Sequence, residues 1–286
     1  MTEALSFIKM HGIGNDFVVV GPEDAGRELD WPRLARQTGD RHFGIGHDGL
    51  LLVERVPPAA SEADFRMRMF NPDGSESEMC GNGIRCFAKY LYDAGLTRDL
   101  QMRIATGAGI QQVSLLTDGD RVQVVEVDMG VPDFEPARIP VLSTLERVER
   151  QPLLVADQHL AVSAVSMGNP HAVSFVDDVE QFPLTVVGPL VEHHPWFPRR
   201  VNFEVVSVQS RSELTMRVWE RGAGITLACG SGACAVMAVA RAQGMVDDKV
   251  RMHLPGGDLI LHWDGTAGVH MAGPATYVFK GEWPLH

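Results

Sequence analysis

The chain has 286 residues, 45% hydrophobic and 22% charged, which is typical of a globular protein and long enough for two domains of ordinary size. Its net charge of -12 argues against a nucleic-acid partner, because phosphate binding needs a concentrated basic surface. No stretch approaches the ~20 apolar residues of a membrane helix, and no secretory signal opens the chain, so we expect a cytoplasmic protein without membrane contact. The four cysteines are too few for a disulfide framework and are expected to be thiols.

In chain order, the sequence predicts many short strands and few helices. A helix is expected from Trp31 to Gln37, with Asp30 as its N-cap and Pro32 in its first turn. The strands are predicted where apolar, β-branched runs lie between Gly, Pro, Asp or Asn. They are Phe17–Val20, Leu50–Val56, Phe65–Phe70 and Val122–Val127 in the first half, and Ala172–Val176, Val201–Val208, Leu214–Trp219 and Leu259–Trp263 in the second.

The main helix of each half follows a glycine-rich stretch that begins with a cysteine. These stretches read MCGNGIRCFAKYLYDAG and ACGSGACAVMAVARAQG, and each continues with apolar residues at helical spacing. Gly95 and Gly244 are expected as C-caps. Cys80, Gly81, Gly83 and Gly95 correspond to Cys229, Gly230, Gly232 and Gly244, and every pair is separated by the same number of positions.

Further matches in the same order indicate a tandem duplication. Gly14-Asn15 corresponds to Gly168-Asn169, and MGVP at 129–132 resembles MAGP at 271–274. We therefore predict two pseudo-symmetric mixed α/β domains of the α+β class, each a strand-rich body that holds one main helix. Their predicted limits are 1–131 and 132–274, and residues 275–286 are expected to return to the first domain.

A thiol at the start of a helix lies near unpaired backbone N–H groups and the positive end of the helix dipole, which favour the thiolate. The glycines allow a carboxylate to approach the same N–H groups. Two such helices suit a reaction in which one thiol removes a proton from a carbon alpha to a carboxylate and the other returns one to the opposite face. Cys80 and Cys229 are therefore the candidate acid and base.

Other readings of the cysteines are weaker. Buried packing is the ordinary role of a free cysteine, and we assign it to Cys86 and Cys234 inside the helices. Their spacing from Cys80 and Cys229 does not match a zinc knuckle, and no Gly-Lys-Ser/Thr follows the glycines, so neither a metal site nor a phosphate loop is predicted. None of the four lysines lies in a phosphate-binding context, so we predict no pyridoxal phosphate and no other cofactor.

The segments HGIGNDFVVV, FNPDGSESEMCGNGIRC, GNPHAV and ERGAGITLACGSGACA resemble those of the diaminopimelate epimerase family, along nearly the whole chain. Members of this family are isomerases that interconvert LL- and meso-diaminopimelate without pyridoxal phosphate, in lysine and cell-wall synthesis. The resemblance implies two domains, each a barrel-like sheet wrapped around a central helix, with the active site in the cleft between them. It implies a small amino-acid substrate, and the sequence leaves the oligomeric state open, with a homodimer as one option.

The resemblance also assigns roles to particular positions. Cys80 and Cys229 match the catalytic pair, and His171 and Glu220 match residues that tune the thiols. Side chains that match substrate contacts are Asn15, Asn71, Asn169, Asn202, Glu220 and Arg221. The helix starts at Gly81-Asn82 and Gly230-Ser231 match those that hold the reacting carboxylate.

Three positions depart from the family pattern, and other functions stay open. Gly49 stands where many members have Gln, and Ile225 and Leu227 stand where polar residues are frequent, which bears on substrate range. A racemase for proline, hydroxyproline or histidine is the nearest alternative. A cysteine hydrolase that uses one thiol with His171 as base and Asn169 as orienting residue is a second, and a non-catalytic binding protein of the same fold is a third.

Overall fold

The computed structural model describes residues 3–57 and 62–285. Two compact units divide the chain: unit 1 is Met1–Val127 with Gly273–His286, and unit 2 is Asp128–Ala272. The mixed α/β class predicted from the sequence is confirmed, with many strands and few helices in each unit. In the described parts of the chain, no helix is sufficiently long and apolar to cross a membrane.

Unit 1 is a sheet of mixed strand directions around one long helix. Its helices are α1 (Pro22–Ala25), α2 (Trp31–Gly39) and α3 (Gly81–Asp93). Its strands are β1 (Ala4–Gly12), β2 (Asn15–Val20), β3 (Gly49–Arg55), β4 (Phe65–Phe70), β5 (Glu76–Ser77), β6 (Gln101–Thr106), β7 (Gly109–Asp118), β8 (Arg121–Asp128) and β18 (Thr276–Pro284). They pair in the order β18-β1-β2-β3-β4-β6-β7-β8, and β5 pairs with the end of β4.

Unit 2 repeats this plan. Its helices are α4 (Leu184–Glu192) and α5 (Gly230–Ala242). Its strands are β9 (Gln151–Val155), β10 (Gln158–Ser166), β11 (Pro170–Phe175), β12 (Asn202–Ser210), β13 (Glu213–Glu220), β14 (Gly224–Ile225), β15 (Lys249–Leu254), β16 (Gly257–His262) and β17 (His270–Gly273). The pairing order is β9-β10-β11-β12-β13-β15-β16-β17, and β14 pairs with the end of β13.

The two units share their strand directions as well as their strand order. In unit 1 the parallel pairs are β2 with β3 and β4 with β6, and in unit 2 they are β11 with β12 and β13 with β15. All other neighbours are antiparallel. Each long helix, α3 or α5, is the crossover of one parallel pair, since a parallel connection needs such a crossover. The internal repeat is therefore a repeat of topology.

Both faces of each sheet are covered, which explains why the central strands are continuous apolar runs instead of alternating ones. In unit 1, α3 packs on one face, and the residues on the other face of β2 and β3 form a core with α1 and α2. In unit 2, α5 packs on one face and α4 contributes to the core on the other. All predicted strands and helices are present, with ends shifted by a few residues.

The ends of the predicted helices follow their sequence signals. Asp30 accepts a hydrogen bond from Arg33 N and caps α2, as predicted. The C-caps of α3 and α5 are Ala94 and Gln243, and the two glycines expected there lie one residue later. Gly95 and Gly244 have φ angles of 71° and 70°, a left-handed conformation that ends a helix without strain for glycine.

Candidate functional site

Each long helix begins at a cysteine that caps it. Cys80 and Cys229 are in extended conformation, and their sulfurs accept hydrogen bonds from the N–H groups of Gly83 and Gly232 at 3.4 and 3.3 Å. The first turn of each helix follows this cysteine directly and contains Gly81-Asn82 in α3 and Gly230-Ser231 in α5. The sequence-predicted helix starts are thus present in both units with the same local geometry.

In unit 1, a short network of amide groups surrounds Cys80. Asn15 Oδ1 accepts from Asn82 Nδ2 at 3.1 Å and lies 3.9 Å from the Cys80 sulfur. Asn15 Nδ2 donates to the carboxylate of Asp48 at 2.7 Å. Because an acidic acceptor fixes which end of the amide is the donor, Asp48 turns the Asn15 oxygen toward the thiol.

Asp48 belongs to a larger charged cluster in unit 1. Its carboxylate also contacts Arg41 at 2.7 Å, and Arg41 bonds Asp16, which pairs with the buried ammonium of Lys9. Burial raises the pKa of Asp48, whereas the hydrogen bonds from Arg41 and Lys9 outweigh burial at Asp16 and hold its pKa well below the usual range. Asp48, in the segment GIGHDG at 44–49, therefore anchors the amide at Cys80, a role that was not predicted from the sequence.

In unit 2, the groups around Cys229 are acidic. The Glu220 carboxylate accepts a hydrogen bond from the Thr226 hydroxyl. Burial raises the pKa of Glu220, an effect that the nearby carboxylate of Glu204 increases and the Thr226 hydroxyl opposes. Burial first, then the charges of Glu220 and Glu204, raise the pKa of the Cys229 thiol well above its ordinary value. Cys229 is therefore a thiol at neutral pH.

A line of hydrogen bonds connects the other predicted residues of unit 2. His171 Nε2 lies 2.9 Å from Asn169 Oδ1, and Asn169 Nδ2 donates to Ser231 Oγ at 3.3 Å. Ser231 Oγ is 3.7 Å from the Cys229 sulfur. Both ring nitrogens of His171 have partners, since Nδ1 bonds Glu204. Neither nitrogen activates Cys229 directly. A cysteine hydrolase with His171 as its base would require such activation in this unit.

Asn202 and Arg221 are joined through the backbone. Asn202 Oδ1 accepts from Arg221 N, and its Nδ2 donates to Pro170 O, both at 2.9 Å. The Arg221 guanidinium is exposed and donates to Arg199 O. The buried amide of Asn202 thus fixes the turn that carries Arg221.

Asn71 lies in a turn of unit 1, where its side chain donates to Ser75 Oγ at 3.0 Å. Cys86 and Cys234 are completely buried, and burial raises the pKa of Cys86 to about 12. Both are buried inside helices, which is consistent with the packing role predicted for them. Arg85, also completely buried, donates to Gly81 O and Pro274 O and anchors the first turn of α3, a role with no signal in the sequence reading.

The positions that depart from the family pattern lie in different surroundings. A Cβ at Gly49 would lie 2.7 Å from Met69 Cε and 3.1 Å from Phe17 Cδ1, so apolar side chains occupy the space that a longer residue would need. Ile225 and Leu227 are 42% and 52% exposed and precede Cys229 by a few residues. Across the described ranges, no cluster of three or more His, Cys, Asp or Glu could hold a metal ion.

The fold and the helix caps define a class: α/β proteins in which a duplicated unit presents one helix-capping thiol in each copy. A family description of diaminopimelate epimerase matches residues 7–135 and 163–278. The chain belongs to the diaminopimelate epimerase family.

Close relatives cover the whole chain. Diaminopimelate epimerase of Moorella thermoacetica is 50% identical over 98% of this chain and 100% of its own length. The enzyme of the same name from Nitrosomonas europaea is 47% identical over 97% and 98%, respectively. Because about half of the residues are identical over nearly the full length, this chain shares the fold and the epimerase chemistry of these relatives.

Solved structures show the same fold at much lower identity. A hydroxyproline epimerase from Agrobacterium vitis has a TM-score of 0.70 at 15% identity, covering 98% of this chain and 90% of that one. A phenazine biosynthesis protein of the PhzF family from Bacillus anthracis has a TM-score of 0.68 at 17% identity, covering 99% and 100%. These likenesses concern the fold alone.

Proposed function

We propose that this isomerase interconverts LL-2,6-diaminopimelate and meso-diaminopimelate by two-base proton transfer, with Cys80 and Cys229 as the two bases. The observation that carries the proposal is the pair of thiol-capped helices in a chain that is half identical to diaminopimelate epimerases. One thiolate removes the alpha proton and the other thiol delivers a proton to the opposite face. The reverse reaction exchanges the two roles.

The helix starts supply the charge stabilisation that such a proton transfer needs. Removing an alpha proton builds negative charge on the adjacent carboxylate, and N–H groups at a helix N-terminus favour an anion there. Gly81-Asn82 and Gly230-Ser231 are assigned this role. The glycines beside them have no side chain to keep a carboxylate away.

Which thiol gives a proton and which removes one follows from the surroundings of Cys80 and Cys229. The raised pKa of Cys229 makes it the proton donor of the resting enzyme. With Cys229 as the donor, two-base transfer requires Cys80 to be the thiolate that removes the alpha proton in that direction. Glu220 and His171 tune the thiols without taking the alpha proton themselves.

The remaining assignments concern substrate recognition, cellular location and assembly. Asn15, Asn71, Asn169, Asn202, Glu220 and Arg221 are proposed to contact substrate directly or to hold the groups that do. A Glu-Arg pair with several amides offers both charges and both hydrogen-bond senses, which suits a substrate with two amino-acid ends. We also propose a cytoplasmic enzyme of lysine biosynthesis that needs no cofactor, with a homodimer as its assembly.

The test is solvent deuterium exchange at the alpha carbon of LL-diaminopimelate, with product stereochemistry measured by chiral chromatography. Cys80→Ala and Cys229→Ala should each lower epimerisation roughly 10²–10⁴-fold, the usual contribution of an acid or base. Cys86→Ala is the matched control, because it removes a thiol from the same helix at a buried position. It should keep activity.

Two results would contradict the proposal. One is a Cys80→Ala or Cys229→Ala enzyme that still epimerises at the wild-type rate. The other is a reduced wild-type enzyme that leaves diaminopimelate unchanged but racemises L-proline, trans-4-hydroxy-L-proline or L-histidine in the same assay. The second result would keep the two-base chemistry and change the substrate.

A further inference from the structure

Glu204 is a completely buried carboxyl group beneath the candidate site in unit 2. Its side chain and that of His171 are both 0% exposed, and Oε1 lies 2.7 Å from His171 Nδ1. Among the residues that the structure describes, Glu204 Oε2 has no hydrogen-bond partner. A charged carboxylate is costly to bury unless a partner balances it, and the imidazole of His171 is placed to do so.

The orientation of His171 depends on this contact. Asn169 gives its Nδ2 to Ser231, so the amide oxygen that faces His171 Nε2 can only accept a hydrogen bond. Nε2 therefore carries a hydrogen and donates it to this oxygen, and the Glu204 carboxylate lies at the other ring nitrogen, Nδ1. Glu204 thus holds one side of the ring, while Asn169 holds the other.

Glu204 is also close to Cys229. A Cβ built on Gly232 would lie 2.8 Å from Glu204 Oε1 and 3.1 Å from the Cys229 sulfur. The oxygen and the sulfur are accordingly within about 6 Å of each other, the range in which one charge shifts the titration of another group. Titratable groups that face Glu204 are His171 on β11, Glu220 on β13 and Cys229 at the start of α5.

The matching positions of unit 1 carry apolar residues. Phe17 stands opposite Gly49 in β2 and β3, as His171 stands opposite Asn202 in β11 and β12. Phe17 in β2 therefore corresponds to His171 in β11. Two residues after Gly49 in β3, Leu51 corresponds to Glu204, which follows Asn202 by two residues in β12.

The side chains packed against Gly83, in the first turn of α3, confirm this difference. A Cβ on Gly83 would meet Leu51 Cδ2 at 3.4 Å and Phe17 Cε1 at 3.5 Å. Apolar groups therefore lie behind the Cys80 helix start, and a histidine and a carboxyl group lie behind the Cys229 helix start.

We propose that Glu204 is a positioning residue of the candidate site: it holds the His171 ring against Asn169 and places a fixed negative charge behind the Cys229 thiol. The inference rests on the proposed two-base function and explains how the two copies of one duplicated unit give their thiols different surroundings. Consistent with it, the charge of Glu204 contributes to the raised pKa of Cys229. The asymmetry comes from two positions in strands, not from the shared Cys-Gly-x-Gly sequence.

The experiment compares wild type with Glu204→Gln, which keeps the shape and the hydrogen bond to His171 but removes the charge. The first measurement is the pH at which iodoacetamide alkylates Cys229, followed by mass spectrometry, with Cys80 in the same molecule as internal reference. The second is the pH profile of kcat/KM, whose limbs belong to the thiol pair as a whole. We expect the Cys229 alkylation midpoint and the high-pH limb to move down by about one pH unit.

Glu192→Gln is the matched control, because Glu192 is a glutamate of the same unit that is also buried, at 3% exposure, and bonds Trp219 and Gly222. It should leave the high-pH limb where it is in wild type. If Glu204→Gln does not purify as a folded protein, Glu204→Leu, which copies Leu51 of unit 1, takes its place with the same expected shift.

Two outcomes separate this inference from the proposed function. The role of Glu204 would be overturned if a folded Glu204 variant kept both the wild-type alkylation midpoint of Cys229 and the wild-type high-pH limb of kcat/KM. It would also be overturned if Glu192→Gln shifted them equally. A shifted Cys229 midpoint in a protein that does not act on diaminopimelate would keep the role of Glu204 and refute the proposed substrate.

Discussion

The glycines three residues after each catalytic-candidate cysteine should respond differently to the same substitution. At Gly83 a Cβ has its nearest contacts at 3.4 Å, which is ordinary van der Waals distance. Alanine there should therefore gain the roughly 0.5–1 kcal/mol by which it favours a helix over glycine. At Gly232 the same atom would lie 2.8 Å from Glu204 Oε1, and His171 holds this oxygen on its other side.

Overpacking in a close-packed interior costs about 1–3 kcal/mol, because the neighbours must leave their preferred positions. Gly232→Ala should therefore lose its helix gain, and the free energy of unfolding should fall about 1–3 kcal/mol below that of Gly83→Ala. The assay is urea denaturation followed by circular dichroism, with both variants measured against wild type. Equal stabilities of the two variants would refute the reasoning, since they would mean that Glu204 is not pressed against the helix start.

Three further predictions concern charge and hydrogen bonding. Burial lowers the pKa of His47 to about 4, so the unfolded chain binds the extra proton at a higher pH than the folded protein does. The free energy of unfolding should therefore fall by about 3 kcal/mol as pH drops from 6.5 toward 4. Urea midpoints measured over this range should show a smaller fall in His47→Gln than in wild type. Asp48→Asn should lower kcat/KM at least ~10-fold while the urea midpoint stays near wild type, because Asn15 loses the charged acceptor that orients its amide; full activity would exclude that role. Thr226→Val removes a hydrogen bond that lowers the pKa of Glu220, so the low-pH limb of activity should move to higher pH, and a limb that stays in place would disconnect Glu220 from the titration.

The candidate site was only partly predictable from the sequence. The thiols and their glycines could be found because the repeat placed them in equal positions, and a repeated motif at two helix starts carries its own chemistry. Asn15 and Asn169 could be found for the same reason. Thr226, Asp48 and Glu204 could not, because a hydroxyl or carboxylate in a strand or loop has no local signal until its partner is in place.

The same limit applied to the fold. Strands such as β2 and β3 were predicted because both of their faces are covered, which makes them continuous apolar runs. Strands such as β1, β6, β7 and β15 were missed, since one of their faces is partly exposed and places polar residues between the apolar ones. The helix α4 was missed as well, because Pro189 lies inside it and proline ordinarily ends a helix.

By itself, the sequence determined the duplication, the two helix starts and the identity of the thiols, because these features depend on residues that are neighbours in the chain. Only the tertiary structure decided how the two copies differ. Pairing of β11 with β12 brings His171 and Glu204 together beneath Cys229, whereas the same pairing in unit 1 brings apolar side chains beneath Cys80. The protonation of a thiol depends on charges a few ångströms away in space, and residues separated by a whole strand and helix in the sequence supply them here.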